Sequence, residues 1–562
     1  MRQNVNFILA AGVAVAITGC SKKMNQFAAD YFTTNPNPLE LVGTSVPATV
    51  TGNIPPKFFI KDATVTVTPV LVYDSYQTTS APVSFQGEKV RGNNPVISNK
   101  EGGIVTIPAD FPYTPEMIKS ELYLDFAVAQ GNKQYALPRV KIAEGVISTA
   151  AFATAESVVP AIAPDKFQRI INEKYTADIR FLINQANIRP VELKSAQMKA
   201  FNQDLASVNS DTSKVIKEIN ISSYASPDGS YDFNTKLAER REINTTSYVE
   251  NQLKKDKIKE FGELTAQFTP EDWEGFQKLV SQSNIQDKQL ILSVLSMYKD
   301  PEQREREIRN LSSVFETLET EIMPQLRYSR ITASVDVIGK SDAEINKLFD
   351  TNPSALTVDE MLYAATLTNN LARRKAIYQA VTKYYPNDFR GYNNLGAVQY
   401  QEKDFAAAQV SFKRAEKLSP NNPEVQMNLG LLAMVNNDYA AANRYFGNAG
   451  GLSDLGNALG VYYIKEGDVA AAVKAFGNSK TNNAAIAQIL AKDYSKANTT
   501  LSSVPTPDAT TYYLLAVVGA RTNNSQMVTS NLRQAIQLDK NYAARAANDI
   551  EFSNFNLTGV LN

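Results

Sequence analysis

Apolar and polar positions change their period along this chain, and each change marks a different architecture. Ala63-Thr64-Val65-Thr66-Val67-Thr68 alternates with period two and continues through Val70 to Tyr73, which predicts a strand with one buried face. Residues 122–128 and 135–142 read as further strands, with turn signals at Gly92-Asn93-Asn94-Pro95 and Gly131-Asn132. Residues 57–147 are therefore expected to form a small β-sandwich. Before them, a stretch rich in Asn, Pro and Thr predicts a tether with little structure. After them comes an Ala/Pro-rich stretch over 150–164.

Strand and helix then alternate. Ile179, Phe181 and Ile183 share one face of a strand, and 195–208 predicts a helix. A second strand, 215–224, carries Ile219 and Ile221 on one face. A second helix, 234–255, carries Leu237, Ile243 and Val249 roughly on one face. Residues 257–326 read as a mostly helical insertion. Thr269-Pro270-Glu271-Asp272 and Asp300-Pro301-Glu302-Gln303 are helix starts. Trp273 is expected in a core and the charged run 304–309 on a solvated face.

From about Ala343 a helical pattern repeats. Leu395-Gly396, Ala408, Phe412 and Ala415 return as Leu429-Gly430, Ala442, Phe446 and Ala449, a shift of 430 − 396 = 34 residues. Leu459-Gly460, Ala472 and Phe476 return once more at a shorter spacing. Small residues let paired helices cross closely, and the aromatic ring fills the gap to the next pair. The spacing predicts an α-solenoid of about five helix pairs over 346–550. It resembles the tetratricopeptide repeat. That resemblance implies a concave groove lined by first helices, here Asn393, Ala397, Tyr400, Gln401, Met427, Leu431 and Met434. The family's carboxylate clamp needs a lysine where Asn393 and Met427 stand and an asparagine where Ala397 and Leu431 stand, so it is absent. The groove is expected either to suit an apolar or mixed protein surface or to pack against a neighbouring domain.

Composition narrows the chemistry. Among 562 residues there are 57 Lys and Arg against 58 Asp and Glu. A net charge of −1 gives no basic face for nucleic acid. There is no histidine and a single cysteine, Cys20. Ser-His-Asp and Cys-His catalysis, His-ligated zinc or haem, intramolecular disulfides and Cys-metal clusters are all excluded, and no cofactor or metal is expected. Carboxylate pairs such as Asp272 and Glu274 carry glycosidase-type groups. Such pairs are common on surface helices, and no enzyme is expected.

The amino terminus gives that cysteine a role. Arg2 precedes an apolar run, residues 7–17 (FILAAGVAVAI), too short to span a bilayer but of signal-peptide length. Ile17-Thr18-Gly19-Cys20 resembles a lipobox. The resemblance implies a signal peptide over 1–19, cleavage before Cys20, acylation of its thiol with diacylglycerol and palmitate-type chains, and a lipidated tether over 20–56. More than one acyl chain gives stable anchoring. Ser21 resembles an outer-membrane rather than an inner-membrane sorting residue. Lys22 and Lys23 stand where surface-exported lipoproteins carry acidic residues, so the expected placement is the outer membrane, facing the periplasm.

The join between the second strand and its helix reads Tyr224-Ala225-Ser226-Pro227-Asp228-Gly229-Ser230-Tyr231-Asp232-Phe233-Asn234-Thr235-Lys236-Leu237-Ala238-Glu239-Arg240-Arg241. Gly229, Asn234, Leu237 and Arg241 match in register the signature of the OmpA-like, peptidoglycan-associated domain, and the resemblance spans about 165–345. It implies an α/β sandwich whose aspartate and arginine clamp the zwitterionic end of diaminopimelate. Here Arg241 is kept, but Ser226 stands at the aspartate position, with Asp228 nearby. The ligand site is either retained through Ser226, Asp228, Gly229, Asn234 and Arg241 or lost. The whole is expected to be multidomain α+β. Its domain order resembles Bacteroidota lipoproteins of unassigned role, and the expected function is a non-enzymatic envelope scaffold that docks protein partners and the cell wall. The alternative is an accessory subunit of an outer-membrane assembly or secretion complex without wall contact.

Overall fold

The structure, a computed structural model, describes residues 23–310 and 312–561. The signal peptide, Cys20 and the start of the tether lie outside the described residues. Two compact units emerge. One is built from residues up to Pro164 together with Asn370 onward, the other from Asp165–Asn369.

The first unit opens with two facing sheets. Phe32–Asn35, Ser45–Ile54 and Gly103–Pro112 form one, in that order. The other runs Lys133–Glu144, Ser120–Gln130, Ala63–Tyr73, Val83–Gly87 and Val96–Ile97, with Tyr76–Thr79 pairing on Ala63–Tyr73. Val46, Val50, Ile107 and Phe111 from the first sheet share a core with Val65, Leu122, Leu124 and Phe126 from the second. The expected sandwich is present, but it begins earlier than predicted. Ser45–Ile54 lies within the predicted tether, and Met24 and Phe27 are buried. In that strand every second residue from Val46 to Ile54 is buried. Ser, Pro, Thr and Asn at the other positions gave it the composition of a linker.

Its second half is a run of helix pairs. After Leu371–Tyr384 come Phe389–Gln401 with Phe405–Leu418, and Pro423–Val435 with Tyr439–Gly447. Leu455–Glu466 with Val469–Phe476, Asn482–Leu490 with Tyr494–Ser502, and Ala509–Arg521 with Ser525–Leu538 follow, and Asn541–Asn548 closes the run. Each pair turns through one left-handed residue, Lys403, Asn437, Gly467, Lys492 or Asn523. The next residue is Asp404, Asp438, Asp468, Asp493 or Asn524, whose side chain caps the second helix. The Gly/Phe pattern is steric. A Cβ on Gly396, Gly430 or Gly460 would lie 2.6, 2.4 or 2.4 Å from the ring of Phe412, Phe446 or Phe476.

The second unit is a four-stranded sheet in the order Ile170–Arg180, Tyr328–Ile338, Lys214–Tyr224, Glu263–Thr269. All pairs are antiparallel except the last. Ala196–Ser210 and Tyr231–Lys255 cover one face through Met198, Phe201, Leu205, Val249 and Leu253. Three expectations need correction. Glu263–Thr269 is an edge strand, not part of a helical insertion. Its residues are almost all exposed, so no alternation marked it. Ile183 lies beyond the strand end and Ile243 points to solvent. The unit also continues past 345 through Asp342–Thr351 and Val358–Ala364.

From Trp273 onward the segment is helical, with its own core of Phe276, Val280, Ile291, Leu295, Leu318 and Ile322. Trp273 is half-buried against Phe276, rings 5.6 Å apart. The charged run is not wholly solvated, because Arg304 lies over the Trp273 ring and donates to the Leu295 carbonyl.

Candidate functional site

The first helices of the repeats turn a row of amides inward. Asn393 and Asn394 sit on Phe389–Gln401, Asn428 on Pro423–Val435 and Asn483 on Asn482–Leu490, and all are buried. An amide buried on an apolar helix face requires partners for both its oxygen and its NH2. In this chain the partner is the Ala/Pro-rich stretch itself. Residues 149–164 lie along the groove as a strap, with short 3-10 turns at Thr149–Phe152 and Ala155–Ser157 and irregular chain from there to Pro164.

The contacts are to main chain. Asn428 donates Nδ2 to the Ala161 carbonyl at 2.8 Å and accepts the Ala161 N–H at 2.8 Å. Asn394 does the same with Ala163, at 3.0 and 2.8 Å, and Asn483 with Thr154, at 3.1 and 3.3 Å. Asn393 links the first two by donating to the Ala161 carbonyl and to Asn394 Oδ1 and accepting from Asn428 Nδ2. The Tyr400 hydroxyl donates to the Ala155 carbonyl at 2.7 Å, and burial pushes its pKa up. At the first repeat, Arg390, held by Asp388, reaches the Pro164 carbonyl at 3.4 Å.

The other end of the strap is clamped at the last repeat. Thr149 donates to Glu551 at 2.8 Å, and the Arg545 guanidinium stacks 4.1 Å over the Phe152 ring. The Tyr513 hydroxyl donates to Asp549 Oδ2 at 2.6 Å. Burial raises the carboxyl pKa values of Asp549 and Glu551, opposed by the Tyr513 and Arg521 contacts respectively.

The expected groove residues divide. Asn393 and Tyr400 bind the strap. Met427, Leu431 and Met434 are buried in the core, and Gln401 is exposed. Of the two expectations for the groove, packing within the chain is what the structure has, although the occupant is this chain's own segment rather than a neighbouring domain. Asn394, Asn428, Asn483 and Arg390 escaped the sequence reading. Their signal was present, since Asn394 and Asn428 stand 34 residues apart, one full period, on apolar helices.

The Ser226 site of the second unit has a different arrangement. Arg241 is 0 % exposed. It donates to three main-chain carbonyls, Tyr224 at 2.7 Å, Gln185 at 3.0 Å and Leu182 at 3.2 Å. Burial, with Arg327 nearby, lowers its pKa to about 10. Asp228 is paired with Arg327 at 2.6 Å, while Ser226 donates to Asp228 at 2.8 Å and accepts from Arg327 at 3.0 Å. Asn234 donates to the Gly229 carbonyl at 2.9 Å and to Glu271 at 3.3 Å. Thus Arg241 ties the 182–185 loop to a strand end, and the carboxylate faces Arg327 rather than Arg241. Among the described residues no group of three His, Cys, Asp or Glu could hold a metal ion, and no helix is long and apolar enough to cross a membrane.

The family profile of the tetratricopeptide repeat matches residues 389–422. Those are the first helix pair described above. Among solved structures, a tetratricopeptide repeat protein from Parabacteroides merdae is 11% identical, covers 37% of this chain and 90% of its own, and has a TM-score of 0.29. PilF of Pseudomonas aeruginosa is 15% identical, covers 37% of this chain and 99% of its own, and has a TM-score of 0.29. No curated protein matches the chain in sequence. Residues 389–422 are thus a repeat of tetratricopeptide type within a longer run of helix pairs, and such a repeat suggests a protein-interaction scaffold.

Proposed function

We propose that this chain is a non-enzymatic cell-envelope lipoprotein, anchored through Cys20 in the outer membrane and facing the periplasm, whose repeats dock protein partners. The observation that carries the docking role is the asparagine row. It holds a chain segment chiefly by its main-chain groups. The anchor rests on Ile17-Thr18-Gly19-Cys20 and on Cys20 being the single cysteine.

Co-purification in mild detergent tests the docking role. A chain that runs alone from native membranes removes it. Metabolic labelling with a palmitate analogue tests the anchor, with label expected on the wild type and absent from Cys20→Ala. Protease treatment of whole cells tests the facing, and degradation without lysis would place the protein outside.

The register of Gly229, Asn234, Leu237 and Arg241 supports an OmpA-like second unit with a role at peptidoglycan. A second reading, the accessory subunit of an outer-membrane assembly or secretion complex without wall contact, is favoured by one observation. Arg327 already neutralises Asp228, and Arg241 is engaged by carbonyls. Retention of the whole chain on purified peptidoglycan separates the two, and its absence leaves the second.

A further inference from the structure

In the sheet of the second unit, Glu263–Thr269 has one neighbour, Lys214–Tyr224, and its other long side is an edge. Every second residue of an edge strand turns its N–H and C=O outward, and such a row templates another strand. Among the described residues no backbone bond reaches Leu264 to Phe268 from that side. Edges are ordinarily blunted by charge, proline or a bulge. The opposite edge, Ile170–Arg180, carries Glu173, Lys174, Asp178 and Arg180. In Glu263–Thr269 the only charge is Glu263, at the first position. The strand has no proline, and its register on Lys214–Tyr224 runs without a shift.

Its side chains select the strand that fits. Leu264, Ala266 and Phe268 stand opposite Ile219, Ile221 and Ser223, on the helix-covered face. Thr265 and Gln267 stand on the other face, bonded to Asn220 at 2.9 Å and to Ser222 at 3.1 Å. The pattern is symmetric about Ala266. An antiparallel second copy centred there sets Leu264 against Phe268 and Thr265 against Gln267, each twice, with alanine against alanine on the axis. Phe268, 39 % exposed, gains an apolar neighbour. A slip of one residue would set Leu264 and Phe268 against polar side chains instead. The two Glu263 carboxylates face Thr269 and stand roughly 20 Å apart along the ladder. Gly262, left-handed at φ 64°, and Pro270, which lacks an N–H, bound the strand on both sides.

We propose that Glu263–Thr269 pairs antiparallel with the same strand of a second copy of this chain, about a two-fold axis through Ala266, so that two four-stranded sheets become one of eight. The contact is isologous and closes at two copies. One strand a side takes part, far fewer residues than a standard interface uses, so the dimer is weak, with a Kd of about 10–100 µM. This pairing needs neither the lipid anchor nor the docking role of the repeats.

Two measurements on the purified full chain test this. The first is disulfide capture. Opposed residues of an antiparallel pair lie about 4.5–5.5 Å apart at Cα, within disulfide reach. On mild oxidation Ala266→Cys is expected to give at least tenfold more covalent dimer than Thr176→Cys on the opposite edge. Wild type, whose single cysteine is Cys20, is the blank. With Ala266→Cys present, Thr265→Lys/Gln267→Lys opposes lysines across the axis and is expected to cut the dimer at least tenfold. Thr265→Lys/Gln267→Glu opposes lysine to glutamate and is expected to restore it. A yield no higher than that of Thr176→Cys overturns the proposal. So does a yield that ignores the charges, and so does an adduct with a different protein, since the edge would then serve another chain's strand. The second measurement is hydrogen exchange on the wild type, which needs no variant. Outward amides between Leu264 and Phe268 are expected to exchange at least twofold more slowly at about 200 µM protein than at about 2 µM, concentrations on either side of the expected Kd. Exchange independent of concentration overturns the proposal.

Discussion

Asn428 and Ala161, 267 positions apart in sequence, exchange both possible amide hydrogen bonds at 2.8 Å inside the groove. The pair behaves as a cross-strand pair does in a sheet, with a side-chain amide standing in for one backbone. Removing the amide leaves a buried N–H and a weakened carbonyl on the strap, and each buried group left without a partner costs about 1–3 kcal/mol. Asn428→Ala is expected to destabilise the first unit by about 2–4 kcal/mol on that basis. Asn428→Leu is expected to do no better, because filling the space does not satisfy the amide. Gln401→Ala, on the exposed side, is expected to fall within about 0.5 kcal/mol of wild type. Denaturant titration of the three variants checks this.

Two glycines of one repeat should respond with opposite sign. Gly430 faces Phe446, and a Cβ there would lie 2.4 Å from the ring. Gly430→Ala is expected to cost about 1–3 kcal/mol through overpacking, although alanine is the better helix former. Gly447 ends its helix with nothing within 4 Å of an added Cβ. Gly447→Ala is expected to gain up to about 1 kcal/mol. Thermal melts of the two single variants decide it, and equal signs would refute the steric account of the repeat.

Asp549 and Glu551 give the first unit a pH dependence opposite to the usual acid denaturation. Burial raises both carboxyl pKa values above their ordinary range. At low pH both states hold the protons and nothing is lost. As pH rises through the ordinary carboxylate range the unfolded chain gives up its protons first, so the native state loses stability until its own raised pKa values are passed. Asp549→Asn is expected to flatten that fall while leaving an acceptor for the Tyr513 hydroxyl. Stability measured in steps from pH 4 to pH 8 in both proteins provides the check.

In the second unit, Arg327 and Asp228 form a buried pair at 2.6 Å. Arg327→Met strands a buried carboxylate and is expected to cost about 3–5 kcal/mol. Asp228→Asn in the same chain removes the stranded charge and is expected to recover more than half of that loss. A double-mutant cycle on thermal unfolding measures the coupling. Additive losses would mean that the pair contributes nothing as a pair.

What the sequence made legible follows where the partners lie. The strand at Ala63–Tyr73 was readable because its alternation records a two-faced environment, and the repeats because Gly396 and Phe412 belong to one local hairpin. The strap's tertiary partners are all distant. Its bonds to the repeats run to residues 226 to 402 positions away, and it has no internal ladder to impose a period. Residues 150–164 therefore showed only as an Ala/Pro-rich stretch, when their alanines are small because helices close over them. At the Ser226 site the residue types were legible, but the connections were not. Arg327 lies about a hundred positions beyond Asp228, and nothing in the Asn234–Arg241 register points to it.

The distance between strap and groove also sets an order of events during synthesis. Ala163 is made 231 residues before Asn394. At roughly 5–20 residues per second the interval is roughly 10–50 seconds. Throughout it the sandwich is complete while its trailing segment has no asparagine to bind, and the entire second unit is being made in between. When the first repeats emerge, their buried amides meet a chain that is already waiting. The groove need never stand empty, and the repeats can form around their occupant.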